Sequence, residues 1–281
     1  MSAKVYSMGN LKGGVAKTTL TTMLAYQATV FNGEKTLVID MDPSPGATKL
    51  LAKTGGIDEI SKSITDGFID GSLVDQVMPI MENLDLIPGD ESFGDLTRLL
   101  ERLFPGEWYD QFNYLNTLLE PLRDQYDRIF IDLPPSQHDY HRNAIMAADY
   151  CIIPLQMMIP SLDAADQYLN FIDDLAHEYD INIQLLGVAA VTTAKDSKEE
   201  LFALEEASKM YGPNLFDTVI YHKERIKAYA REGISHPNDG VFSFDKKWNK
   251  DAHSPFELLW KEALKREEYF ESVKEGGAIN G

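Results

Sequence analysis

The chain predicts an α/β fold, a doubly wound and mostly parallel sheet with helices on both faces, which places ligands at the carboxyl ends of the strands. Two observations carry this. Short apolar runs recur at residues 5–8, 36–39, 84–87, 128–131, 150–154, 184–191 and 215–220. They are nearly continuous rather than alternating, as strands buried on both faces are. Between most of them lie helix-length segments with apolar residues at three and four spacing, as at 18–31, 161–179 and 198–211.

In chain order, the run at 5–8 leads into a glycine-rich turn and the helix at 18–31, and the run at 36–39 ends on Asp40 and Asp42. Residues 55–125 are less regular. Their Phe104, Trp108, Tyr109, Phe112 and Tyr114 either cover a core or form a subunit contact, and the core reading is favoured. The run at 128–131 ends on Asp132, and the runs at 150–154 and 184–191 flank the helix at 161–179. The tail, 255–274, reads as a terminal helix starting near 252, with Phe256, Leu259, Trp260, Ala263 and Leu264 on one side. No low-complexity tract, fixed repeat or Gly/Ser linker divides the chain, so residues 1–281 are expected to form a single domain.

Composition excludes several classes. A chain of 281 residues buries roughly 75% of its unfolded surface and needs no disulfide or metal staple. The lone Cys151 cannot form an internal disulfide, which points to a reducing cytosol. The amino terminus has no apolar signal segment, and the greasy stretch at 150–159 is broken by Pro154 and Gln156, well short of a bilayer span. With 26 basic and 45 acidic residues the net charge is -19, so any contact with DNA must be local.

The turn at 8–19, Met-Gly-Asn-Leu-Lys-Gly-Gly-Val-Ala-Lys-Thr-Thr, lies between the first strand and the first helix, where a phosphate-cradling loop must sit. Lys17 would reach the β and γ phosphates and Thr18 would ligate Mg²⁺. The pattern G-x-x-x-x-G-K-[ST] fails at both glycines, because Leu11 and Ala16 occupy them. The variant K-G-G-x-x-K-[ST] fits, through Lys12, Gly13, Gly14, Lys17 and Thr18. Here the sequence resembles the ParA/MinD family of deviant-Walker-A P-loop ATPases. The resemblance implies a nucleotide site made by Lys12, Gly13, Gly14, Val15, Ala16, Lys17, Thr18 and Thr19. It also implies that Lys12 reaches the phosphates of the opposite subunit in an ATP-sandwiched homodimer. Ala16 stands where the family usually has glycine; its Cβ is harmless at negative φ and costs about 1 kcal/mol or more at positive φ.

Residues 37–48, with Asp40, Asp42 and Pro43, resemble the family's D-x-D-P-Q-x-x-A-T segment, with Ser44 in place of glutamine. Strand side chains repeat every second residue, so Asp40 and Asp42 emerge on one side. By resemblance Asp42 orients the attacking water and Asp40 holds a water of the Mg²⁺ shell; the plainer alternative is a strand-ending turn. Residues 128–136 match the family's third motif, an apolar strand ending Asp132-Leu-Pro-Pro-Ser136, which gives Asp132 a Walker-B role on Mg²⁺. The strand at 150–156 and Ser161 resemble the family too. Catalysis would fall to Lys12, Lys17 and Asp42, metal binding to Thr18, Asp40 and Asp132, with ATP and Mg²⁺ as cofactors.

His138 and His141 lack the further ligands that a zinc site needs and read as a solvated helix start. Residues 222–250 hold seven Lys/Arg against four Asp/Glu, a net +3 window inside an acidic chain. In ParA proteins non-specific DNA contacts fall in this part, which makes Lys223, Arg225, Lys227 and Arg231 candidates, Arg225 foremost; an ordinary charged helix face is the alternative. The acidic tail, with six glutamates over 256–275, argues against a MinD-like membrane role. One cysteine argues against a shared iron–sulfur cluster. The expectation is a ParA-like Mg-ATPase, cytoplasmic and nucleoid-associated, without an amino-terminal helix-turn-helix domain, that segregates a plasmid or chromosome with a ParB-like centromere-binding partner. A positioning ATPase for a protein cargo, or an ATP-using metabolic enzyme of the same class, are the alternatives.

Overall fold

One sheet of eight strands organises the molecule, in the order β3-β4-β2-β5-β1-β6-β7-β8. The structure, a computed structural model, describes residues 2–135, 138–192, 197–240 and 242–278; Ser136 of the third motif lies outside them. The strands are β1 (Lys4–Met8), β2 (Thr36–Asp40), β3 (Met78–Met81), β4 (Leu84–Ile87), β5 (Arg128–Asp132), β6 (Tyr150–Gln156), β7 (Gln184–Thr192) and β8 (Ile220–Tyr221). The helices are α1 (Lys17–Asn32), α2 (Gly46–Thr54), α3 (Ile64–Asp70), α4 (Leu96–Leu103), α5 (Trp108–Arg123), α6 (His138–Ala147), α7 (Ile159–Tyr179), α8 (Lys198–Tyr211), α9 (Glu224–Glu232) and α10 (Ser243–Ala278). Every strand pairing is parallel except β3 with β4, a hairpin at the edge. The edge strand β3 alternates buried and exposed residues and was not expected from the sequence; its short Met-Pro-Ile-Met run lacks the continuous apolar signal of the interior strands.

Side chains alternate across the sheet and create two faces. Tyr6, Met8, Val38, Phe130, Tyr150 and Ile152 pack toward α1, α2, α9 and α10. Val5, Leu37, Ile39, Ile129 and Ile131 pack toward α3, α4, α5 and α6, and Cys151, Ile153 and Leu155 toward α7 and α8. Because β2, β5 and β1 are neighbours, their carboxyl ends bring Asp40, Asp132 and the loop after Met8 to one place.

Three expectations are corrected. The run at 215–220 forms a strand only at Ile220–Tyr221, with a single bridge from Leu215 to Val188; Arg266 takes the Leu215 carbonyl instead. The terminal helix starts at Ser243 and runs through Pro255. A proline lacks the N–H that would bond the carbonyl four residues back. Here that carbonyl, of Asp251, accepts the Lys223 ammonium instead, so the interior proline leaves no orphan. Of the aromatic group at 104–114, Phe112 is buried, but Trp108 and Tyr109 are exposed at the start of α5 and cover no core.

Candidate functional site

The glycine-rich turn joins β1 to α1 and is held from inside. Buried Asn10 donates its side-chain amide to the Pro154 carbonyl (2.9 Å) and accepts the Lys12 N–H (2.9 Å), fastening the loop to β6. In the sequence Asn10 is only a polar residue of the loop; its burial and its bond to Pro154 give it its role. Lys17 donates its ammonium to the Asn10 and Lys12 carbonyls, both at 2.9 Å, and so closes the turn on itself. Burial pushes this ammonium down, against the opposing pull of Asp132 and Asp42. Gly14 sits at φ 75° and Ala16 at φ 69°, ψ 27°. Ala16 thus takes the costlier of its two alternatives, about 1–2 kcal/mol of left-handed strain at the N-cap of α1. The Lys12 ammonium donates to the Ser161 hydroxyl (2.7 Å), which is buried in the first turn of α7.

Asp40 and Asp132 lie directly opposite each other on β2 and β5, both fully buried. Asp132 accepts the hydroxyls of Thr18 (2.7 Å) and Thr21 (3.2 Å) from α1. Asp40 accepts the Thr48 N–H and hydroxyl, both at 2.8 Å, and the Asp42 N–H at 3.1 Å. Thr48 in turn accepts the Gly89 N–H (2.9 Å). Thr48 closes the D-x-D-P-Q-x-x-A-T segment but carries no role in the sequence reading, and Thr21 and Gly89 are not singled out there; all three take their roles only because α2, α1 and the end of β4 converge here. Gly89 is obligatory, since a Cβ would fall 2.8 Å from the Asp40 carbonyl oxygen. Asp42 is half-buried at the cleft and accepts the Ser44 N–H (2.8 Å). Burial pushes all three carboxyls up, and Asp132 is raised further by Asp40 beside it.

Asp132 and Asp42 therefore act on one ammonium, Lys17, beside the Thr18 hydroxyl, and Asp40 lies opposite Asp132. The oxygen-only donors fit a hard divalent cation. Among the described residues no group of three or more His, Cys, Asp or Glu is placed to hold a metal ion unaided. Such a cation would complete its shell from phosphate and water.

The remaining candidates fall elsewhere. His141 is not a solvated helix residue: it is fully buried, bonded to the Tyr168 hydroxyl (3.0 Å) and the Pro134 carbonyl (2.9 Å), and its desolvation pushes it down to about 3. His138 is exposed. Arg225, the foremost DNA candidate, is a fastening residue; it donates to Asn249 (2.7 Å), Glu232 (3.0 Å) and Ser235 (3.0 Å). Lys227 pairs with Glu224 and Arg231 with Glu232, while Lys223 is spent on the Asp251 carbonyl. Among the described residues no helix is long and apolar enough to cross a membrane.

A lysine- and threonine-bearing loop between the first strand and first helix of a parallel sheet, with two strand-end aspartates behind it, defines a P-loop nucleotide hydrolase. A family model described as an AAA domain (AAA_31) matches residues 3–185. The chain belongs to this family and is an ATPase of the ParA/Soj partitioning type. An uncharacterised protein of Pseudomonas putida is 31% identical over 80% of this chain and 83% of its own length. The sporulation initiation inhibitor protein Soj of Bacillus subtilis is 27% identical over 82% of this chain and 88% of its own. Among solved structures, the McdA–ATP complex from Cyanothece superimposes with a TM-score of 0.77 at 24% identity, covering 94% of this chain and 97% of the other.

Proposed function

We propose that this ATPase works as a switch: Mg-ATP joins two copies face to face, the dimer binds DNA without sequence preference, and a ParB-like centromere-bound partner stimulates hydrolysis and releases it. The cycle would move a plasmid or chromosome in the cytoplasm, along the nucleoid. The observation that supports this reading best is the convergence of Lys12, Lys17, Thr18, Asp42 and Asp132 at the carboxyl ends of β1, β2 and β5.

In this reading Thr18 and Asp132 would hold Mg²⁺, with Asp40 behind them, and the ion would supply charge neutralisation at the phosphates. The Thr18 hydroxyl would turn from Asp132 toward the ion, while Thr21 keeps the carboxylate oriented. Lys17 exchanges its two loop carbonyls for phosphate oxygens. Asp42, on the open side of the cleft, orients the attacking water. Lys12 sits on the loop's outer part, its ammonium on the Ser161 hydroxyl, and on dimerisation that ammonium would turn to the partner's phosphates. Asp40 accepts three hydrogen bonds, two of them from Thr48 on α2, so it acts as a positioning residue for the loop carrying Asp42.

The test is ATP turnover and sedimentation together. Asp42→Ala is expected to hydrolyse ATP slowly yet still double in mass with Mg-ATP, and Lys12→Ala to lose both. An Asp42→Ala protein turning over at the wild-type rate would sink the mechanism. A wild-type protein that dimerises with ATP but binds no DNA would favour a protein cargo.

A further inference from the structure

We propose that the amino-terminal shoulder of α10 is the DNA-contacting surface, and that it grips DNA by aromatic stacking as well as by charge. This rests on the DNA-binding reading above and replaces the α9 cations as its site. Phe242, Phe244 and Trp248 are 58%, 56% and 62% exposed. The rings of Phe242 and Phe244 lie parallel, 5.3 Å between centroids and 6° between planes, and Trp248 meets Phe244 edge-on at 6.5 Å. Three large rings held in water, ordered against one another rather than against a core, form a ready stacking platform.

Beside them Lys246, Lys247 and Lys250 are exposed. Among the described residues none of the three has a carboxylate partner, whereas every α9 cation is already engaged. The nearby Asp245 carboxylate is turned back onto the Phe242 N–H. Asn249, Ala252 and His253 bury the opposite side of the helix, so lysines and rings share its outer side.

Free ammonium groups attract phosphates at long range; flat ring faces take bases. That pairing fits a nucleic acid, and most of all DNA whose bases can be reached, such as a single strand or a locally melted duplex. An anionic membrane fits less well. A helix lying flat on lipid would press exposed Asp251 and Glu268 against the same charge. A second copy docked face to face would set lysine against lysine.

The test is fluorescence anisotropy of the full chain with Mg-ATP on a short duplex and a single strand of equal length, across a salt series. Lys246→Glu/Lys247→Glu/Lys250→Glu is expected to lower affinity more than about tenfold and to flatten the logarithmic salt slope by about 2–3. Phe244→Ala/Trp248→Ala is expected to lower single-strand affinity about tenfold, duplex affinity less, with the slope unchanged. Lys227→Gln/Arg231→Gln is the comparison; Arg231 borders the groove that Trp248 lines, so this pair should lower affinity less than about threefold, well short of the triple reversal. Unchanged urea midpoints and ATP-dependent doubling in mass establish that each variant is folded and assembles. The proposal falls if the triple reversal binds DNA as wild type does, or if the α9 pair carries the loss. It also falls if the shoulder variants lose only phosphatidylglycerol-vesicle binding or only dimerisation. Wild-type protein that binds no DNA with ATP removes the DNA reading itself along with it.

Discussion

Gly9, the first residue after β1, is the position where the phosphate loop tolerates a side chain least. A Cβ there would overlap the hydroxyl, Cε1 and Cζ of Tyr168. Tyr168 has nowhere to go: it is fully buried, and its hydroxyl is bonded to His141, itself fixed on the Pro134 carbonyl. Gly9→Ala must push the ring back by about 1–2 Å to restore van der Waals contact. Overpacking of this kind costs about 1–3 kcal/mol, and losing a buried hydrogen bond about 1–3 more, so roughly 4 kcal/mol is expected. The assay is equilibrium urea unfolding of Gly9→Ala in the wild-type and in a Tyr168→Leu background. With the ring gone the substitution should cost under about 1 kcal/mol, giving a coupling energy of about 3 kcal/mol. ATP affinity should fall in Gly9→Ala, because the displaced backbone carries Asn10, which holds the loop on Pro154. A cost below about 1 kcal/mol in the wild-type background, or equal costs in both, would refute the packing argument.

Further outcomes follow from other contacts. Thr48→Val keeps the backbone N–H on Asp40 but removes the hydroxyl that donates to Asp40 and accepts the Gly89 N–H; it should cost about 2 kcal/mol in urea unfolding and slow ATP turnover by loosening the Asp42 loop. Glu267→Gln dissolves the two-pronged pair of Glu267 with Arg128, whose guanidinium is 13% exposed and keeps Glu34 at 2.9 Å. About 3 kcal/mol should be lost, and proteolysis of α10 should speed up. Burial and their mutual repulsion raise the Asp40–Asp132 pair above the usual carboxylate range, so the nucleotide-free fold keeps protons that the unfolded chain releases at pH ~4. That stability is complete below pH ~4 and is lost as pH rises through the raised range of the pair. Urea midpoints should therefore fall between pH 5 and 9 and fall less in Asp132→Asn; a midpoint that rises over this range would contradict the sign.

Much of this protein was legible in its sequence because its chemistry is local. The run from Met8 to Thr19 places two lysines, three glycines and two threonines between a strand and a helix, and no tertiary contact is needed to read it as a phosphate loop. The same holds for Asp40, Asp42 and Asp132, each at the end of a buried apolar run, where strand periodicity alone says that they face the crevice. The parallel α/β architecture follows from the same runs.

Tertiary structure decided what depends on partners distant in sequence. Asn10 matters because Pro154 lies beside it, Thr48 because Gly89 and Asp40 do, and His141 became a core residue because α7 set Tyr168 against it. Ala16 was open to two readings until its φ was known, since a single Cβ tolerates one backbone basin and strains in the other. Charge counting found the basic window, but only the fold separated Arg225, pinned by Asn249, Glu232 and Ser235, from Lys246, Lys247 and Lys250, which are exposed and have no carboxylate partner among the described residues. The physical reason is common to all of these. Sequence fixes which groups a segment carries, whereas burial and pairing are settled between segments and determine whether a charge is available to a ligand or spent on the fold.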